Sequence, residues 1–146
     1  MGLIEAVPGV LAQTFEHFRD CGRGRRECVV YWTGPTDSPG LVDGVVHPLH
    51  RSAGGGYEVD STWVTSFFLE LRRQRKHARV QVHTHPHHAS HSWIDDQFAL
   101  VPAPGFLSLV IPDFGIGDVS LRNAHLVRTN QRCEWSEIPL SEIAAP

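Results

Sequence analysis

The sequence is poor in cysteine, and its few cysteines lie far apart. Cys21, Cys28 and Cys133 are the three cysteines among 146 residues, and no Cys-x-x-Cys pair is present. Because they are odd in number and widely spaced, neither a disulfide framework nor a zinc site built on thiolates is expected. We therefore expect reduced thiols and a cytoplasmic protein.

The sequence also lacks an excess of basic residues and any long apolar run. Thirteen Lys and Arg residues stand against sixteen Asp and Glu residues, which gives a net charge of −3. Sequence-independent binding of nucleic acid needs a basic surface, so we expect no nucleic-acid partner. No apolar stretch approaches the roughly 18 residues of a membrane span, so we expect no membrane partner. Residues 1–6 have neither the basic nor the apolar region of a signal peptide, so we do not expect one.

The residues that are present fit a single globular domain spanning residues 1–146. Apolar residues make up 41% of the chain and charged residues 20%, close to the globular average, which excludes wholesale disorder. One domain is also the usual expectation at this length.

The apolar pattern predicts helices and strands that alternate early and strands that dominate late. This order is typical of an α/β fold in which a sheet packs on helices. The predicted helices cover residues 4–20, with Pro8 opening the helix, 60–76 and 92–100, and the predicted strands cover residues 27–33, 41–47, 78–83, 106–111, 119–127 and 134–139.

Histidine is the residue that stands out, because five of the ten histidines lie between His83 and His91. His83 and His85 are two residues apart at the end of a predicted strand, and alternate residues of a strand point to the same side. Both imidazoles can therefore reach one metal ion at about 2.0–2.1 Å. Pro86 helps to end the strand just after the second ligand.

A carboxylate lies at the start of the next predicted helix. Ser92 has the character of an N-cap, and Asp95, at the third helical position, is either part of a capping-box variant or a third metal ligand, two roles that are compatible. Asp96 is rotated by about 100° around the helix, so both aspartates are not expected to face one ion. We favour Asp95 as the ligand.

Two histidines and one carboxylate form a catalytic rather than a structural zinc set, because they leave a fourth position for water. Zinc lowers the pKa of such a water to about 7 and polarises a carbonyl. We therefore expect one Zn²⁺ per chain. The reaction also needs a group that moves the proton, and Glu27 opens an otherwise apolar strand. The local pattern leaves open whether Glu27 is a solvated strand-end residue or a placed base.

Together these residues resemble the signature of the JAB/MPN (JAMM) zinc metalloproteases. That signature is a Glu, a long gap, His-Ser/Thr-His-Pro, a short loop and Ser-x-x-Asp, and it is matched here by Glu27, the run 83–86, Ser92 and Asp95. The likeness covers roughly residues 27–112. The chain is also similar to compact bacterial members of the family that are found beside ubiquitin-like conjugation systems, including those of antiphage defence operons. The likeness implies the cytidine-deaminase-like fold of that family, a curved mixed β-sheet packed against helices.

The resemblance also implies a role for each of these residues. His83, His85 and Asp95 would bind zinc, Glu27 would be the general base, and Ser92 would hydrogen-bond the oxyanion of the tetrahedral intermediate. The implied reaction is hydrolysis of a peptide or isopeptide bond after the C-terminus of a ubiquitin-like protein, either in precursor maturation or in deconjugation. The implied partners are that protein or its conjugate and the activating or conjugating enzymes of the same operon.

Two departures from the family pattern leave assignments open. The loop between His85 and Ser92 has six residues where the family usually has seven, so Asp96 stands where the usual total spacing places the aspartate. Val30 or Tyr31 replaces the glycine that commonly follows the Glu by a few residues.

The remaining histidines and tryptophans have simpler interpretations. We expect His87, His88 and His91 at the rim of the site and His47 in a structural role. Trp93 adjoins Ser92 and is the candidate for substrate contact, whereas the other tryptophans, at positions 32, 63 and 135, are expected in the core or lining a groove.

Three other functions compete with a zinc peptidase. The first is a metallo-β-lactamase-like hydrolase, since residues 83–88 differ by one residue from the His-x-His-x-Asp-His box of that class. The second is an inactive MPN-type scaffold that only binds a partner. The third is a histidine-rich metal buffer, which is disfavoured because the histidines lie between a strand and a capped helix.

Overall fold

The computed structural model describes residues 2–53, 56–87 and 99–146, which form eleven strands, two α-helices and two short 3-10 turns. The helices are α1 (Val10–Gly22) and α2 (Ser61–Gln74). The strands are β1 (Ile4–Ala6), β2 (Val29–Pro35), β3 (Leu41–Val42), β4 (Gly44–Val46), β5 (His50–Ala53), β6 (Gly56–Val59), β7 (Lys76–Thr84), β8 (Leu107–Ile111), β9 (His125–Thr129), β10 (Trp135–Ile138) and β11 (Ile143–Ala144).

A six-stranded mixed sheet carries the fold, in the order β10-β9-β8-β7-β2-β4. β7 and β8 are parallel, and the other neighbouring strands of this sheet are antiparallel. The predicted α/β class, a mixed sheet packed against helices, is therefore confirmed. Two smaller sheets accompany it: a parallel sheet in the order β11-β1-β3 and the hairpin of β5 and β6.

One face of the main sheet packs against α1. The helix contributes apolar side chains that step by three and four residues along one stripe, such as Leu11, Phe15 and Phe18. Val30 and Trp32 of β2 point to this face, and Trp32 donates a 2.8 Å hydrogen bond from Nε1 to the buried Thr14 hydroxyl. The larger of the hydrophobic clusters lies here.

The opposite face packs against α2. Val29 and Tyr31, which alternate with the residues facing α1, form a second cluster with Phe67 and Leu71 of the helix. β2 is therefore buried on both faces, which accounts for its nearly continuous apolar sequence.

The boundaries of α2 follow from its sequence. The Asp60 side chain caps the first turn by accepting a 2.8 Å hydrogen bond from the Trp63 amide. Arg72 and Arg73 lie in the last turn, where the helix dipole stabilises positive charges. This helix begins where the sequence predicts and ends at Gln74, because Arg75 takes up a left-handed conformation with φ of 55°.

Several predicted boundaries are wrong for identifiable reasons. Residues 4–6 form β1 instead of the start of a helix, and α1 begins at Val10 because Gly9, with φ of 98°, separates the two elements. The predicted strand 41–47 divides into β3 and β4. The predicted strand 119–127 begins only at His125, after a turn in which Asn123 has a φ of 63°.

The predicted helix 92–100 lies almost wholly outside the described residues, and its last two residues, 99 and 100, are not helical. Neither α1 nor α2, the two helices in the part of the chain that the structure describes, is long and apolar enough to cross a membrane.

Candidate metal centre

The structure brings the side chains of His83 and His85 together at the end of β7. Their Nε2 atoms lie 3.2 Å apart, and the ring centroids are 5.1 Å apart. A tetrahedral zinc ion bound at about 2.0–2.1 Å by two imidazoles would separate the two nitrogens by about 3.3 Å. The pair therefore has the separation that two ligands of one zinc ion require.

Burial keeps both imidazoles uncharged. His83 is 1% exposed and His85 is 4% exposed. Burial, helped by the nearby charge of His85, lowers the pKa of His83 to about 3, and burial lowers the pKa of His85 to about 4. Nitrogen lone pairs are thus available to a cation well below the pH at which an exposed histidine takes up a proton.

Backbone hydrogen bonds fix the position of His85 beyond the last residue of β7. Its amide donates a 2.9 Å hydrogen bond to the carbonyl of Ile111, and its carbonyl accepts a 2.8 Å bond from the amide of Phe114. Because parallel pairing with β8 holds this end of β7, the two rings do not depend on a free loop for their positions.

Glu27 lies at the same end of the sheet. β2 pairs with β7 so that Val29 faces His83, and the Cys28 carbonyl accepts a 3.0 Å bond from the Thr84 amide. Continuing this antiparallel register places Glu27 opposite His85. The side chain is half-buried, and this burial raises the pKa of its carboxyl above the ordinary value.

Tyr57 of β6 forms one wall of the site, and no sequence pattern had pointed to it. Its ring centroid lies 5.7 Å from that of His83. Burial, followed by the charges of nearby groups that include Glu27, raises the pKa of its hydroxyl. The phenol is therefore neutral and can serve as a hydrogen-bond donor beside the histidine pair.

The third predicted ligand and three other predicted site residues lie outside the described residues. These are Asp95, its alternative Asp96, the predicted oxyanion donor Ser92 and the predicted substrate contact Trp93. Their assignments stay predictions.

The described rim residue is His87, whose side chain is exposed and whose carbonyl accepts a 2.6 Å bond from the Asp113 amide. His88 and His91 lie outside the described residues. Trp32 is fully buried in the core, as the sequence predicts. Trp63 stacks on Phe67 at the α2 face, and Trp135 packs against the buried Val110 and Val127.

Sequence spacing missed a second cluster of metal-ligating side chains. Cys21, Cys28, His47 and His50 each offer one ligand atom, and these four atoms lie within 4.8 Å of one another. We expected no thiolate site because the cysteines are distant in sequence, but the fold brings two of them close to two histidines by joining α1, the start of β2 and the segment that runs from β4 into β5. All three cysteines of the chain are free thiols.

A groove that is unrelated to the histidine pair lies elsewhere on the described part of the chain. It has a volume of about 820 Å³ and is lined at the opposite end of β7 by cations that include Arg72, Arg75, Lys76 and Arg128. It contains neither His83 nor His85, so the groove and the histidine pair are separate features.

Comparison with known proteins adds a relative of similar length. The chain is 27% identical over 140 residues to the probable metalloprotease y4jG of Sinorhizobium fredii (strain NBRC 101917 / NGR234), an alignment that covers 92% of this chain and 86% of the relative. No protein-family model matches the chain. The relative's name agrees with the convergence of His83 and His85 on one point. The chain is therefore similar in sequence to a probable metalloprotease, and its own residues resemble the JAB/MPN signature.

Solved structures of related shape add information on the fold of this chain. The solution structure of protein DSY2949 from Desulfitobacterium hafniense superimposes with a TM-score of 0.64 at 15% identity, covering 98% of this chain and 92% of that one. AF2198, a JAB1/MPN domain protein from Archaeoglobus fulgidus, has a TM-score of 0.48 at 11% identity and 98% coverage of both chains.

The donor set and the metalloprotease-like relative together support a metal-dependent hydrolase in general terms.

Proposed function

We propose that this protein is a zinc-dependent peptidase that cleaves the peptide or isopeptide bond after the C-terminus of a ubiquitin-like protein. The observation that carries the proposal is the buried, uncharged pair of His83 and His85, with Nε2 atoms 3.2 Å apart. The JAB/MPN signature and the metalloprotease-like relative support it.

His83, His85 and Asp95 would hold the zinc ion, which supplies a Lewis acid that polarises the scissile carbonyl and lowers the pKa of water to about 7. Two buried neutral imidazoles suit this ion, because zinc accepts nitrogen ligands and the site needs no deprotonation before binding.

Glu27 acts as general base in this proposal. Its carboxylate takes a proton from the attacking water and later delivers it to the leaving amine. Half-burial, which raises the pKa of Glu27, suits a group that must both accept and return a proton. Ser92 donates a hydrogen bond to the oxyanion.

The proposed partners are a ubiquitin-like protein or its conjugate and the activating or conjugating enzymes of the same operon. This part of the proposal is based on the resemblance to compact bacterial JAB/MPN proteins. We also propose that the enzyme acts in the cytoplasm, where such a substrate would be made.

The variant Glu27→Gln tests the mechanism, because it removes the base and keeps the size of the side chain. We expect this variant to retain its zinc and to lose about 10²–10⁴-fold in turnover, the usual contribution of a positioned base. The assay combines zinc analysis with cleavage of a panel of ubiquitin-like proteins, each fused through its C-terminus to a reporter peptide.

The matched control is Glu134→Gln, since Glu134 is exposed and lies just before β10, remote from the histidine pair. It should cleave at the wild-type rate. Wild-type turnover in Glu27→Gln would remove Glu27 from the mechanism. A zinc-loaded wild type that cleaves none of the fusions would favour a scaffold.

A further inference from the structure

We propose that Cys21, Cys28, His47 and His50 form a second metal site, which binds one zinc ion in a structural role. We call these four residues the Cys2His2 cluster. The site is separate from the histidine pair of β7 and does not depend on the proposed peptidase activity.

Four of the six distances between ligand atoms of the Cys2His2 cluster lie close to the edges of a tetrahedron around zinc. The His50 Nε2 atom lies 3.2 Å from Cys21 Sγ, 3.7 Å from Cys28 Sγ and 3.2 Å from His47 Nε2, and Cys28 Sγ lies 3.4 Å from His47 Nε2. Ideal Zn–S and Zn–N bonds predict edges of about 3.3 Å for two nitrogens and about 3.6 Å for sulfur and nitrogen.

Hydrogen bonds alone do not account for this convergence. The Nε2 atom of a neutral imidazole carries either one proton or one lone pair, so it makes one strong hydrogen bond. His50 Nε2 nevertheless has three donor or acceptor atoms within 3.7 Å. One cation at the centre would bind all four atoms at once.

The chemistry of the four donors selects the metal. Two thiolates with two imidazoles in tetrahedral arrangement are typical of zinc, and four protein ligands close the coordination sphere. Such a site has no open position for water, so the ion would stabilise structure rather than catalyse a reaction.

The ligands come from three separate segments, so the ion would join them. Cys21 lies in the last turn of α1, Cys28 precedes β2, and His47 and His50 flank the turn between β4 and β5. Cys28 directly follows Glu27. The bound ion would therefore also restrain the backbone that carries the proposed base.

Tyr57 lies near both the Cys2His2 cluster and the histidine pair. Its ring centroid lies 6.2 Å from that of His50 and 5.7 Å from that of His83. The two proposed sites share no ligand, so each can be tested without the other.

Cobalt substitution gives the most specific test. Reduced wild-type protein, stripped of metal and titrated with Co²⁺, should show the near-ultraviolet charge-transfer band of a cobalt–thiolate bond. The histidine pair and a carboxylate cannot produce this band, because they contain no sulfur. Absence of the band in folded wild-type protein would overturn the proposal.

Zinc analysis of variants assigns the ligands. Cys21→Ser and His47→Ala should each lose one equivalent of zinc per chain relative to the wild type, and Cys21→Ser should also weaken the cobalt–thiolate band. Cys133→Ser is the matched control, because Cys133 is exposed and lies outside the cluster. It should retain the zinc content and the cobalt band of the wild type.

Two further outcomes would contradict the proposal. One is an unchanged zinc content in both Cys21→Ser and His47→Ala. The other is a titration of denatured, unreduced protein that finds one thiol per chain instead of three, since any disulfide among the three cysteines removes at least one of Cys21 and Cys28 as a thiolate ligand. Neither outcome bears on His83 and His85, so failure here leaves the proposed peptidase standing.

Discussion

Thr84 links the backbone beside Glu27 to the strand that carries the histidine pair. Its fully buried hydroxyl oxygen accepts a 2.9 Å hydrogen bond from the Cys28 amide, and its own amide donates a 3.0 Å bond to the Cys28 carbonyl. Thr84→Val keeps the shape of the side chain and removes the acceptor. The Cys28 amide is then left buried without this partner.

An unsatisfied buried donor costs about 1–3 kcal/mol. For a chain of this size, that loss of unfolding free energy lowers Tm by about 3–10 °C. We also expect kcat on a fusion substrate to fall, because the segment that loses its anchor carries Glu27. Thermal unfolding and steady-state cleavage of wild type and variant measure the two effects.

Thr84→Ser is the matched control, because it keeps the hydroxyl and removes only a methyl group. It should cost about 1 kcal/mol through the small cavity and should retain kcat better than Thr84→Val. If Thr84→Val unfolds at the wild-type temperature, or if the Ser variant loses as much activity as the Val variant, the anchoring role of the hydroxyl is refuted.

Three further perturbations test the site and the sheet. His83→Ala and His85→Ala should each lose zinc from the β7 site and abolish cleavage, whereas His77→Ala, exposed on the same strand, should keep both; retained zinc in the first two would contradict the ligand assignment. Gly34→Ala should lower the free energy of unfolding in urea by about 3 kcal/mol, because the added Cβ would collide with the carbonyl of Leu41. Wild-type stability in this variant would contradict the prediction, since it would show that β2 and β3 move apart at little cost. In metal-free protein the pKa of His83 is about 3 in the folded state and about 6.5 in the unfolded state. As the pH drops below about 6.5, the unfolded state therefore takes up a proton first, and the free energy of unfolding should fall. Equal urea midpoints at pH 7.5 and pH 5 would contradict this prediction.

The parts of the fold that the sequence predicts correctly are those where local pattern and packing agree. Asp60 caps α2 as its position suggests, and the alternation from residue 78 onward gives a strand that ends with two histidines on one side. The same alternation allowed the His83 and His85 pair to be predicted, because neighbours two apart share a face.

Other parts depend on contacts between distant segments. Ile4 and Val7 fit the apolar stripe of α1, but residues 4–6 instead pair in parallel with β11 and β3, which the local sequence does not reveal. The Cys2His2 cluster is similar, since its ligands are separated by 6, 18 and 2 residues and meet only after α1 and β2 pack.

The central claim is that His83 and His85 hold a catalytic zinc ion near Glu27. Anomalous diffraction at the zinc absorption edge from crystals of the protein as purified tests this claim most directly. The account predicts a peak about 2.0–2.1 Å from the Nε2 atoms of both His83 and His85. Crystals grown with zinc that show no peak between these two nitrogens would contradict it.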